Sequence, residues 1–299
     1  MATTTAPPVA APRFDPALTR RKATGTIFYG ACLVAIFVLL LALLLLLIDI
    51  LTTGLPWLDV DFLTGVPSRR PANAGIFPAI MGSIQIILLV GLFTLPIGIG
   101  AATYLAEYAR DNRLNQLLQT NISNLAGVPS IIYGILGLAV FVRIMSLGPT
   151  LVSGALTLTL VILPVVIIAS IEALKAVPDA QREGAYALGA TRWQMVKGSV
   201  LPAAAPGITT GIILSIARAV GETAPLIIVG ASAFVTFIPT PLSANFTVLP
   251  IQTFNWATRP QEDFQGISAA TIIVILALMA VLNLLAVVVR IRLSRHIQW

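Results

Sequence analysis

The sequence predicts an all-α polytopic membrane protein with six transmembrane helices, and three observations predict it. Of its 299 residues, 57% are hydrophobic and only 10% are charged, where a water-soluble domain carries about 25% charged residues. The mean hydropathy is +0.94. Five stretches approach or exceed the roughly 20 apolar residues needed to cross ~30 Å of hydrocarbon. These are Ile27–Ile48, Ile80–Ala106, Ile122–Val142, Leu151–Ile171 and Ile267–Val289, and none contains a charged residue. A water-soluble core is excluded. Twelve acidic residues are too few to favour a metal-rich or hydrolytic enzyme.

Met1–Pro16 is rich in Ala, Thr and Pro and reads as a disordered tail. The first apolar stretch is longer than the 7–15 residues of a signal h-region. No small-residue cleavage site precedes Asp49, so the stretch is read as an uncleaved span. Its Cys32, the one cysteine, has no partner for an internal disulfide and reads as an apolar filler. Asp49 reaches the headgroups. Pro96, Pro129 and Pro164 interrupt three other stretches, which spans tolerate when neighbours satisfy the freed carbonyls. Glu107, Arg110, Asp111 and Arg113 read as a solvated loop. A sixth apolar stretch, Ala203 to about Gly230, contains Arg218 and Glu222, and a split into two short spans is an open alternative. Thr52–Pro78 and Ala231–Gln265 carry prolines with Trp57, Phe246, Phe254 and Trp256, aromatics suited to a membrane interface. His296, the one histidine, reads as part of a solvated basic tail.

Charge orients the spans. With six spans and both ends inside, thirteen Lys and Arg fall on the inner side, four on the outer, and Arg218 lies within the membrane. That bias is what the positive-inside rule requires. A seventh span would place Arg290, Arg292 and Arg295 outside, against it. The net charge of +6 therefore marks span ends, and no nucleic-acid partner is expected.

The inner loop of about Glu172–Leu201 is the longest inside. Pro178 and Asp179 suit a helix start, Ala180–Ala187 a short helix closed at Gly189, and Thr191 the cap of a second short helix through Val196. Such a half-polar helix pair either docks on a partner or lies on lipid headgroups; composition alone weighs these equally. Arg218 is costly in a membrane, about 2.5–3.5 kcal/mol at a helix centre on insertion scales, so it faces a cavity or a partner. Glu222, four residues on, shares its helical face. The pair is either functional or a self-neutralising structural bridge.

Glu183-Gly184-Ala185, then Gly189, then Leu201-Pro202 resembles the EAA motif of ABC-importer permeases. Gly184 replaces the first Ala and Ser199 takes the family's Ile position, with the spacing intact. Arg218-Ala219-Val220-Gly221-Glu222-Thr223-Ala224-Pro225-Leu226 resembles the RA(V/L)GETAPL stretch of the phosphate-specific branch, of the PstA type. Gly75–Ile80, Tyr104–Ala109 and Val128–Gly134 extend the resemblance. It implies a type I ABC-importer (MetI-like) bundle in a bacterial plasma membrane. It also implies residues 1–22 as a cytoplasmic tail and 23–299 as the permease domain, with a core of about 76–290 and a coupling loop at 172–202.

On this resemblance Arg218, Glu222, Gly221 and Thr223 belong to the phosphate pathway. Glu183, Gly184, Ala185, Gly189, Leu201 and Pro202 belong to ATPase coupling. There is no Walker A sequence, so ATP and magnesium are expected on partner subunits and no cofactor on this chain. The implied partners are a homologous PstC-like permease, two PstB-like ATPases, a PstS-like extracytoplasmic phosphate-binding protein, phosphate and the lipid bilayer. The rival readings are a permease for molybdate, sulfate or phosphonate, and a stand-alone secondary anion carrier.

Overall fold

The computed structural model describes residues 18–110, 112–231, 234–240 and 245–294. The readings placed on His296, Asp111 and most of the tail lie outside these residues. α1, Leu18–Gly54, begins inside the stretch assigned to the tail. Its Ile27, Leu33 and Leu40 side chains are exposed, as a lipid-facing helix requires.

After α1, a short helix, Val60–Thr64 (α2), is capped by Asp59, whose carboxylate accepts from the Phe62 amide at 2.7 Å. α3 spans Phe77–Thr103 and ends in a π-helical turn, Tyr104–Tyr108. α6 spans Leu151–Lys175 and is the most deeply buried long helix. Pro96 and Pro164 lie inside α3 and α6 without ending them.

The third apolar stretch is not one straight span. It divides into α4, Arg113–Ala126, and α5, Ser130–Gly137, which continues as a π-helical segment to Ile144; the two halves meet at 100°. Pro129 biases Val128 away from helical backbone, and Gly127 closes α4. Among the described residues, five helices are long and apolar enough to cross a membrane, and the bent pair would make a sixth.

The loop after α6 holds α7, Asp179–Ala187, and α8, Arg192–Met195. α8 does not stop at Val196: a π-helical turn, Val196–Val200, carries it into α9, Leu201–Gly221. Pro202 follows that turn and has no N–H to return to it. α10, Ala224–Val229, has six residues and cannot cross a bilayer, so the split into two short spans is excluded. α11, Leu249–Ala257, and α12, Glu262–Ser294, complete the order.

α3, α6 and α9 pack together around two buried clusters, one containing Leu158, Ile162, Val220 and Leu226, the other Ile171, Leu174, Val196 and Val200. A further cluster, with Phe62, Trp256 and Phe264, joins α2, α11 and α12 to the start of α3. Small residues let α6 and α9 approach: a Cβ on Gly207 would lie 2.8 Å from Ala173, and Gly211 is packed onto Ala169. Within a bilayer, such a small-xxx-small seam drives association through close backbone packing.

Candidate functional site

The candidate residues fall in two groups: one around the C-terminal end of the helical run Arg192–Gly221, the other in α7, the turn at Gly189 and the first part of that run. In the first group Arg218 lies in the last turn of α9, where the helix dipole favours a cation. Glu222 follows as the C-cap, its ψ of 120° taking the chain out of the helix. Arg218 Nε donates to Glu222 Oε1 at 3.3 Å. The Arg218 side chain is nevertheless 48% exposed, while Glu222 is 15% exposed. Leu214 and Gly221 are exposed beside it, and nothing lies within 4 Å of a Cβ built on Gly221. Thr223 Oγ1 donates to the Gly221 carbonyl at 3.4 Å.

The depth of Arg218 follows from helix register. α9 runs antiparallel to α6, with Gly207 on Ala173 and Gly211 on Ala169. Continuing that register brings Arg218 level with about Ile162, near the middle of α6. The cation thus lies at mid-bundle height on a face the described residues do not cover. Just beyond it, Pro225 packs on Gly134, whose Cβ would approach the Pro225 Cα to 2.7 Å. The fold thereby joins the Gly221–Leu226 and Val128–Gly134 segments.

The second group lies on α7, α8 and the turn between them. Gly189 has φ +79°, in the left-handed region. Its amide donates to the Tyr186 carbonyl at 2.9 Å and the Ala190 amide to the Ala185 carbonyl at 3.1 Å, closing α7 as a Schellman motif. Thr191 and Gln194 form a capping box that starts α8. Glu183 and Gly184 are exposed, and a Cβ on Gly184 would meet nothing within 4 Å, so its replacement of Ala is sterically neutral. Ala185 packs against the cluster of Leu174 and Val196, with Leu201 beside it. Leu201 and Pro202 begin α9 without a break from α8. Tyr186, Leu188 and Trp193 are exposed, Leu188 at 91%. The segment thus presents a tyrosine, a leucine and a tryptophan outward around the Gly189 turn.

The sequence reading missed one element of this segment. Glu107 is not solvated: its side chain is 5% exposed and pairs with Arg182 Nη2 at 2.8 Å. Arg182 also donates to the Leu174 and Val177 carbonyls, at 2.9 and 2.7 Å, and to Asp179 Oδ1 at 3.0 Å. The hydrogen bond and charge of Glu107, with Asp179, outweigh desolvation and hold the Arg182 pKa above its ordinary value. Among the described residues no three His, Cys, Asp or Glu side chains converge as a metal site.

Comparison with known proteins matches this architecture. Residues 94–295 match the family of binding-protein-dependent transport system inner membrane components. The chain is 35% identical over 230 residues to the probable ABC transporter permease protein YqgI of Bacillus subtilis, covering 77% of this chain and 74% of that protein. It is 35% identical over 248 residues to the phosphate transport system permease protein PstA of Yersinia pestis, covering 83% of each. The fold is shared with a chain of a bacterial alginate ABC transporter, at a TM-score of 0.65 and 18% identity, over 89% of this chain and 94% of that one. It is shared as well with a chain of the MetNI methionine ABC transporter in an inward-facing conformation, at a TM-score of 0.56 and 16% identity, over 73% and 94%. An all-α, multi-spanning bundle of the MetI-like type, with this family match across most of its length, leaves one assignment: the chain belongs to the binding-protein-dependent transport system inner membrane components, as a membrane permease subunit of an ABC-type importer.

Proposed function

We propose that this permease conducts inorganic phosphate inward, as the PstA-type half of a heterodimeric pathway driven by ATPase subunits. The observation that carries the proposal is Arg218: a guanidinium at mid-bundle height, paired on one side and 48% exposed on the other. Lipid is a poor neighbour for that open side, since intramembrane charges face cavities or partners. A second, homologous permease across this face encloses Arg218 in a pathway. The guanidinium's planar, forked donors fit a tetrahedral oxyanion. Glu222 neutralises Arg218 in the empty site, and its carboxylate accepts a hydrogen bond from a protonated phosphate oxygen, which sulfate lacks at neutral pH. Open space at Gly221 admits the anion to the backbone, and the Thr223 hydroxyl adds a further polar contact.

The 172–202 segment receives the ATPase through Tyr186, Leu188 and Trp193, all exposed, around Gly189. ATP and magnesium belong to that ATPase. A secreted binding protein delivers phosphate to the opposite face, and both termini lie in the cytoplasm. The PstA name among the relatives supports phosphate over molybdate, sulfate or phosphonate.

The test is uptake of labelled phosphate by the assembled importer, challenged with each rival anion. Arg218→Ala abolishes uptake while the chain still inserts. Arg218→Lys rescues little, because a point-charge ammonium lacks the fork. Glu222→Gln transports but discriminates less between phosphate and sulfate. If Arg218→Ala with Glu222→Ala restores normal uptake, the pair is structural and the pathway lies elsewhere. Uptake that survives ATP depletion refutes the coupled mechanism.

A further inference from the structure

The two short inner helices each send one arginine to the same turn of a different transmembrane helix. Arg182, from α7, grips Glu107 by Nη2 at 2.8 Å and by Nε at 3.3 and 3.4 Å to its two oxygens. Arg192, from α8, places its guanidinium 5.0 Å from the Tyr108 ring centroid. Glu107 and Tyr108 are adjacent residues in the π-helical turn Tyr104–Tyr108 at the end of α3. The Ala109 amide closes that turn onto the Tyr104 carbonyl at 2.8 Å. Single π turns are uncommon and concentrate at functional sites.

Arg182 does more than pair. Its bonds to the Leu174 and Val177 carbonyls, at 2.9 and 2.7 Å, fall in the last turn of α6 and just beyond it, where the Leu174 carbonyl also accepts from the Val177 amide at 3.3 Å. One guanidinium therefore ties α7 to the ends of both α3 and α6. A lysine could reach one of these acceptors but not hold all three in a fixed plane. Leu105, from the same π turn, lies in one buried cluster with Met195, Val196 and Val200. The contact is thus polar at its edges and apolar at its centre.

We propose that Arg182 and Arg192 are positioning residues that fix the ATPase-facing helices to the π turn of α3, so that displacement of α7 and α8 reaches α3 and α6 directly. This rests on the reading of residues 172–202 as the ATPase-coupling segment. α7 and α8 hinge at Gly189, whose φ is +79°. Without Arg182, α7 could swing on that hinge relative to α8, which is continuous with α9, while α3 stayed in place; without Arg192, α8 would lose its contact with the same π turn.

The experiment uses the assembled importer in nanodiscs, in a Cys32→Ser background. Nitroxide labels at Ala187→Cys and Tyr104→Cys report the α7-to-π-turn distance, with and without ATP. The intact clamp keeps one narrow distance in both states. Glu107→Gln, an isosteric change, and Arg182→Met broaden it or make it depend on ATP, and Arg182→Lys falls between. In the same variants, phosphate taken up per ATP hydrolysed drops at least tenfold while the ATPase still co-purifies. A distance that varies with ATP in the unaltered protein overturns the proposal, as does an unchanged narrow distance in Glu107→Gln. Loss of assembly in both Glu107→Gln and Arg182→Met assigns the pair a packing role only, which also overturns it. Cross-linking Ala187→Cys to the ATPase separates the two readings. No cross-link sinks the coupling assignment; a cross-link with an unmoved distance in Glu107→Gln sinks this inference alone.

Discussion

Gly189 separates backbone strain from surface occlusion in one series of substitutions. Its φ of +79° lies in the left-handed region, which costs an L-residue with a Cβ about 1–2 kcal/mol. A Cβ at this position meets nothing within 4 Å, so the permease itself imposes no steric penalty. Gly189→Ala therefore carries the strain alone; the free permease escapes it by relaxing this exposed turn, so a docked ATPase that requires the turn binds roughly 5- to 30-fold more weakly. Gly189→Asn pays less, because Asn visits the left-handed region more readily. Gly189→Trp pays the same strain and also projects a large ring from the exposed surface beside Leu188. Its loss beyond that of Ala measures steric conflict with the ATPase. The assay is the affinity of purified ATPase for the permease in nanodiscs, with thermal unfolding of the permease measured alongside. The expected order of affinity is Gly, Asn, Ala, then Trp, with little change in unfolding. If Ala, Asn and Trp all bind like the parent, the segment is not the docking surface; if Asn is as damaging as Trp, strain does not set the loss.

Three other perturbations test the fold beneath the site. Gly211→Leu forces a side chain into Ala169, where Gly211 is already in contact; overpacking of this kind costs roughly 1–3 kcal/mol and lowers the permease unfolding temperature, whereas Gly184→Leu, on open surface, leaves it unchanged. Reporter fusions after Arg259 behave as external and after Arg290 as internal, and an external C-terminal fusion refutes the six-span topology. Deleting Ser199 from the π turn Val196–Val200 closes it to an α turn and keeps both flanking faces, whereas deleting Ile213 rotates Arg218 by about 100°. Uptake survives the first deletion better than the second, and equal loss in both refutes the π-turn argument.

What was legible in the sequence was what local chemistry dictates. Charge-free apolar runs mark spans because a bilayer penalises every charge within them. Gly189 was legible as the close of α7 because a left-handed backbone selects glycine locally, and Thr191 as a cap because its partner, Gln194, is three residues on. Pro129 was read as an interruption that one span tolerates, whereas the chain bends there by 100° between α4 and α5, an angle that depends on what each half packs against. Glu107 was misread for the same reason: its own neighbourhood is charged, and the arginine that buries it is 75 residues away. The α6–α9 seam was written in the sequence as Gly207-Ile208-Thr209-Thr210-Gly211, a small-xxx-small spacing, and this signal was available but unused. For Arg218 the sequence supplied the identity and the helical face shared with Glu222. Its open side required the fold.

The two ends of the site are mechanically one object. From Arg192 to Gly221 the chain is helical without interruption, a length of about 45 Å at 1.5 Å per residue. α8 and Arg218 are therefore not joined by a flexible loop, and α7 meets α8 at Gly189. Motion imposed at α8 reaches Arg218 as a tilt or translation of α9 unless something along the helix absorbs it. The one departure from α-helical geometry in this run is the π turn Val196–Val200. That turn is buried against the α3 end of the bundle through Val196 and Val200, so it bends only if α3 yields with it. Arg182 and Arg192 tie the same end of α3 to α7 and α8. α7 and α8 are thereby packed as one body with α3, α6 and α9, and the small-residue seam at Gly207 and Gly211 links that body to the height of Arg218.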